Sequence, residues 1–70
     1  MFGKRIRELR KAKGLSIQKL ALETCISVLT IKNYEKNYIK RPNITNIGKL
    51  AIALGVDFDE LYELAFKIEE

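Results

Sequence analysis

The stretch from Leu15 to Lys36, LSIQKLALETCISVLTIKNYEK, constrains the fold more than any other part of this chain. It reads as a short helix, a tight turn and a second helix. The first helix is amphipathic, with Leu20 and Ala21 turned inward, and Ser16 stands where an N-cap belongs. The turn runs through Thr24, Cys25 and Ile26, and Ser27 caps a second helix that continues to about Lys36. Ala21 falls where the two helices cross, and only a small side chain lets them approach closely. Ile26, Ile31 and Tyr34 fasten the second helix to the body of the domain.

Such a pair is helix-turn-helix architecture, and its second helix can enter the major groove of DNA. Three more helical stretches surround it. The first covers about Phe2 to Lys13, with Phe2, Ile6 and Leu9 at i, i+4 and i+7, and Gly14 ends it. Asn37 to Pro42 is a loop, because Pro42 pushes Arg41 out of the helical region. Asn43 then caps a fourth helix with Ile44, Ile47, Leu50, Ala51 and Leu54 on one face. Gly48 inside that helix costs helix stability, which predicts close packing against another helix. Gly55 ends it. Asp57 with Glu60 predicts a capping box for a fifth helix, whose apolar face carries Leu61, Leu64, Ala65 and Ile68. No alternating pattern supports a strand. The expected fold is all-α: five helices in one domain over residues 1–70, with the helix-turn-helix at helices 2 and 3.

Composition narrows the function. At 70 residues, 47% hydrophobic and 31% charged, the chain suits one folded unit with one small core. One cysteine and no histidine leave almost no raw material for a zinc site or a nucleophile–base pair. No catalytic residue, metal or cofactor is therefore expected. The N-terminus lacks the apolar stretch of a signal peptide, no run is long enough to span a membrane, and a lone cysteine gives no sign of secretion, so a cytoplasmic protein is expected. Residues 1–41 hold eleven Lys/Arg against three acids, net +8, and residues 42–70 hold two against six, net −4. A basic front and an acidic back suit a polyanion on one face; a merely uneven solvated surface is the alternative.

The segments IRELRKAKGLS, ISVLTIKNYE and KRPNITNIGKLAIALGVDFDEL, with Leu20-Ala21 between the first two, resemble the Cro/C1-type (XRE family) helix-turn-helix domain of phage repressors and many bacterial regulators. The resemblance covers nearly the whole chain. It implies the five-helix fold, and it implies a partly buried ion pair between Arg10 and Glu35 that orients the recognition helix. Three positions depart from the family. Ile17 stands where the family has a phosphate-contacting Gln, with Gln18 next. Cys25 stands in the central turn where Gly is usual, and it meets steric strain if its φ is positive. Asn37 replaces the Gly after the recognition helix and is the best non-glycine residue for that conformation.

On the recognition helix, Val28, Leu29, Lys32, Asn33 and Lys36 share the outward face at 100° per residue. Expected base contacts are Ser27, Val28, Leu29, Lys32 and Asn33. Asn33 suits a bidentate contact to adenine, Val28 and Leu29 suit thymine methyls, and Lys32 suits guanine or a phosphate. Expected phosphate contacts are Ser16, Ile17 and Gln18 at the start of helix 2, where free N–H groups suit an anion, with Thr30, Lys36, Lys40 and Arg41. Tyr38 either reaches a phosphate or covers the helix end. The resemblance places a dimer contact at the joint of helices 4 and 5, where Ile44, Val56 and Phe58 offer apolar surface; Tyr62 and Phe66 either extend that patch or pack inward.

The function expected from all this is a sequence-specific regulator of transcription that binds a palindromic double-stranded DNA operator as a homodimer and represses by occlusion. The alternative is a protein–protein module that keeps the fold and meets its partner through Val28 and Leu29. The end at Glu69-Glu70 carries no linker signature, which favours a complete small protein.

Overall fold

The computed structural model describes residues 1–66, which form five helices. These are α1 (Phe2–Ala12), α2 (Ile17–Thr24), α3 (Val28–Glu35), α4 (Ile44–Leu54) and α5 (Phe58–Phe66). Ile68, expected on the apolar face of α5, lies outside the described residues.

The helix boundaries follow from local chemistry. Ser16, Ser27 and Asn43 each take extended backbone and accept a hydrogen bond from the N–H three residues on, at Lys19, Thr30 and Asn46. Each of these caps satisfies one of the donors that a helix start leaves free. At the end of α1, Gly14 has φ +68°. This turns the chain so that the Gly14 and Leu15 N–H groups reach back to Lys11 and Arg10. Asn37 does the same work after α3 with φ 64°, and its N–H and that of Tyr38 return to Tyr34 and Asn33.

The turn between α2 and α3 is tighter than the sequence suggested. Thr24 is still helical and is buried, so only Cys25, Ile26 and Ser27 separate the two helices. Cys25 takes the left-handed conformation at φ 58° despite its side chain. Thr24 supports it from beneath: its hydroxyl donates to the Leu20 carbonyl and accepts from the Ile26 N–H. A buried threonine thus satisfies the last turn of α2 where the chain leaves the helix.

One core holds the five helices together. Phe2 and Ile6 of α1, Leu20 of α2, Ile26 of the turn, Ile31 and Tyr34 of α3, Ile47, Leu50, Ala51 and Leu54 of α4, and Leu61 and Ala65 of α5 are all buried in it. Leu9, Leu15, Ile17 and Ala21 pack against its edge. The Phe2 and Tyr34 rings meet edge to face, with centroids 5.6 Å apart.

Three expectations change here. Gly48 is not a contact point: a Cβ added there meets nothing within 4 Å. The close approach lies at Gly3 instead, where a Cβ would collide with the Tyr34 carbonyl and press on the Cα of Glu35. Ile44 does not join the inward face of α4 but is 60% exposed, because it sits in the first turn beyond the reach of the core. The Asp57–Glu60 capping box gives way to a longer-range contact. Glu60 accepts a 2.8 Å hydrogen bond from Arg5 Nε, which links α5 to α1.

Candidate nucleic-acid interface

The outward side of α3 is built by what holds its inward side. Ile31 and Tyr34 are buried, which fixes the rotation of the helix about its axis. The Tyr34 hydroxyl accepts from Asn46 Nδ2 at 2.8 Å, tying α3 to the first turn of α4. Arg10 reaches across from α1: its Nε and Nη2 donate to the two carboxylate oxygens of Glu35 at 2.8 and 3.0 Å, and its Nη1 donates to the Leu15 carbonyl at 2.9 Å. The two side chains are only 10% and 5% exposed. The hydrogen bonds to Glu35 hold the guanidinium pKa above its ordinary value.

With those anchors set, Leu29, Lys32 and Lys36 stand exposed on the other side of the helix, with Val28 and Asn33 half-buried beside them. Leu29 is 67% exposed. At the N-terminal tip, Ser27 donates to Thr30 Oγ1 at 2.8 Å while accepting from the Thr30 N–H. The Thr30 hydroxyl accepts from Ser27 and keeps its own proton to donate.

The residues expected at phosphates fall into two groups. Ser16 and Gln18 are exposed at the start of α2, whereas the Ile17 side chain is half-buried against the core. That leaves Ile17 only its backbone N–H to offer an anion. Lys40 and Arg41 are exposed in the loop after α3, with Tyr38 73% exposed beside them, while Pro42 is buried and pins the loop to the body.

The residues expected at a dimer contact are not equally available. Phe58 is 37% exposed and Ile44 is exposed, but Val56 is half-buried and packs against the core. Phe58 stacks on Tyr62 at 5.7 Å and Tyr62 leans on Phe66 at 5.0 Å, so the aromatic residues of α5 form one ridge.

Sequence reasoning missed three contributors to this geometry. Arg5–Glu60 and Tyr34–Asn46 join residues far apart in the chain, and nothing local marks either pair. Gly3 carried a signal, being a glycine inside a helix, but its partner is backbone from α3.

Two short helices joined by a three-residue turn, with the second clamped from α1 and α4 and its outer face rimmed by cations, define a helix-turn-helix domain. The chain belongs to the helix-turn-helix family, of the XRE/Cro–C1 type, which matches over residues 6–61. Among curated proteins it is similar to an uncharacterized HTH-type transcriptional regulator, RghRB, of Bacillus subtilis (strain 168). The two are 37% identical over 97% of this chain and 49% of that protein. It is also similar to the HTH-type transcriptional regulator SlrR of the same organism, 33% identical over 90% of this chain and 41% of the relative. The chain thus spans about half the length of the curated relatives it matches. No solved structure matches it significantly. No helix among the described residues is long and apolar enough to cross a membrane.

Proposed function

We propose that this chain binds double-stranded DNA in a sequence-specific manner and regulates transcription, with α3 lying in the major groove. The observation that carries this reading is the outer face of α3: Leu29, Lys32 and Lys36 stand clear, with Asn33 half-buried beside them, on a helix whose other side is locked by Ile31, Tyr34 and Glu35. Rigid placement matters because base readout depends on donors and acceptors held in register with the base edges. In this role Asn33 pairs with adenine, Val28 and Leu29 meet thymine methyls, and Lys40 and Arg41 hold the backbone. Ser27 starts α3 and stands at its tip beside the bases, and the Thr30 hydroxyl, which accepts from Ser27, has its own proton to give a phosphate. The fact that both curated relatives are named as transcriptional regulators supports the same reading.

A single module of this size has modest affinity, so pairing on two half-sites is part of the proposal. Ile44 and Phe58 supply the exposed apolar surface for a homodimer, with a smaller part for Val56. Occlusion of a palindromic operator is then the simplest route to repression.

Selection of bound duplexes from a random DNA pool at near-physiological salt tests the reading. An enriched palindrome with an adenine in each half-site is the expected result. A pool that stays random overturns sequence-specific binding. It then favours the second reading, a protein-binding module whose partner meets the exposed Leu29.

A further inference from the structure

The outer face of α3 and the loop that carries Lys40 and Arg41 make up the candidate interface, and that loop runs from α3 to α4. Yet α3 and α4 scarcely pack on each other. α3 lies on α1 and α2, and α4 lies on α2, α1 and α5. Among the described residues a single side-chain hydrogen bond joins α3 to α4: Asn46 Nδ2 donates to the Tyr34 hydroxyl at 2.8 Å.

Neither residue is explained by its own surroundings. Tyr34 is 2% exposed, and its ring meets Phe2 edge to face. A phenylalanine would make the same ring contact with no polar atom to bury, and a buried hydroxyl is costly unless it finds a partner. Asn46 lies in the first turn of α4, and asparagine is a poor helix former. The cap of that helix is Asn43, which accepts from the Asn46 N–H at 2.7 Å, so the Asn46 side chain is not needed to start it. Its amide turns to Tyr34, and the two polar groups account for each other.

The bond supplies what the core does not. Apolar burial is non-directional, so burying Ile31 decides which side of α3 faces inward and leaves the inclination of the helix loosely set. A hydrogen bond weakens steeply away from its preferred distance and angle. Arg10–Glu35 is such a directional tie toward α1, and Tyr34–Asn46 is one toward α4. The loop leaves α3 after Glu35 and enters α4 at Ile44, so Tyr34 and Asn46 stand within one turn of its two ends. A tie between them closes the base of the loop and fixes Lys40 and Arg41 relative to the outer face of α3.

We propose that Tyr34 and Asn46 are positioning residues for DNA recognition. Their hydrogen bond sets the inclination of α3 against α4, so that the side chains of α3 and the cations of the loop meet the duplex in one register. Both act through the elements they hold and not by contact with DNA. What is positioned rests on the DNA-binding reading above; the tie itself rests on the geometry of the two helices. Base readout requires donors and acceptors matched to base edges, whereas attraction to phosphates is independent of sequence. Loss of the bond should therefore weaken operator binding more than binding to a scrambled duplex.

Affinities of the full chain for the selected operator and a scrambled duplex, at one salt concentration, test this. The proteins are the wild type, Tyr34→Phe, Asn46→Ala and the double variant. Tyr34→Phe keeps the ring and alanine favours the helix, and circular dichroism checks that all stay folded. Each single variant should lower the operator-to-scrambled affinity ratio by about 2- to 10-fold, the net worth of one hydrogen bond. The double variant should lower it no further than the singles, because all three lose the same bond. A merely structural role lowers the folded fraction and weakens both duplexes alike. A ratio that stays at the wild-type value therefore overturns the positioning role while leaving the DNA reading in place. Effects that multiply in the double variant overturn the pairing of the two residues.

Residual dipolar couplings of the backbone amides, measured by nuclear magnetic resonance on the free protein, supply the independent arm. In Tyr34→Phe the direction of α3 relative to α4 should shift or become averaged, while α1, α2 and α4 keep their mutual directions. An α3 that holds its wild-type direction overturns the tie. If the wild type binds both duplexes equally, the DNA reading fails and the positioning role fails with it, whatever α3 does.

Discussion

Arg10 grips both oxygens of Glu35 across the α1–α3 contact, and the same guanidinium also holds the Leu15 carbonyl at the entrance to α2. One side chain therefore ties together the three helices whose relative placement sets the recognition surface. Removing one member of a nearly buried pair leaves the other charge stranded, which costs about 3–5 kcal/mol in buried examples. Arg10→Ala and Glu35→Ala should each destabilise the fold toward that range by urea denaturation. A double-mutant cycle should return a coupling of about 0.5–3 kcal/mol. Coupling near zero would show the two charges to be independent.

Gly3 and Gly48 should respond to alanine in opposite directions. At Gly3 the new methyl group meets the Tyr34 carbonyl and the Glu35 backbone, which cannot step aside like a side-chain tip. Overpacking of this kind costs about 1–3 kcal/mol. At Gly48 the methyl group meets open space within a helix, and replacing glycine there gains about 0.5–1 kcal/mol. For a domain of this size 1 kcal/mol moves the melting temperature by about 4–8 °C. Thermal melts of the two variants should therefore separate clearly, on either side of the wild type.

Cys25 holds a left-handed turn conformation with a β-carbon in place, a strain of about 1–2 kcal/mol for an ordinary residue. Cys25→Gly removes the strain but adds unfolded-state freedom worth about 0.4–1 kcal/mol. The net result should be a modest rise in melting temperature. Asn37→Gly, at a similar φ of 64°, should change stability less, because asparagine tolerates this region. A larger gain at Asn37 than at Cys25 would contradict the assignment of strain.

The DNA reading makes a prediction of its own. Asn33→Ala should relax preference at one base pair per half-site, at a cost of about 1–3 kcal/mol, while Lys40→Ala and Arg41→Ala weaken binding to every sequence alike. Selection experiments on the three variants separate the two patterns. Unchanged preference in Asn33→Ala would remove that residue from base readout.

What was legible in the sequence was mostly what a few neighbouring residues decide. Ser16, Ser27 and Asn43 announce helix starts because a cap needs only its own side chain and the N–H three residues on. Asn37 announced its conformation because asparagine is the residue, after glycine, that tolerates it. Where a partner comes from elsewhere in the chain, local reasoning misplaced the contact. Asp57 and Glu60 have the spacing of a capping box, yet Glu60 lies within reach of Arg5, and that pairing depends on how α5 docks. Gly48 and Gly3 look alike in the sequence, and only the position of α3 makes one of them indispensable.

The main-chain carbonyl of Asn33 accepts hydrogen bonds from both Tyr38 and Ile39, which closes the loop that carries Lys40 and Arg41. The backbone of this one residue anchors the loop, and its side chain takes no part in that anchoring. Under the DNA reading, position 33 is then a place where base preference can change while the loop that carries Lys40 and Arg41 stays anchored. A change of side chain there alters the message, and the same peptide group keeps the handle in place.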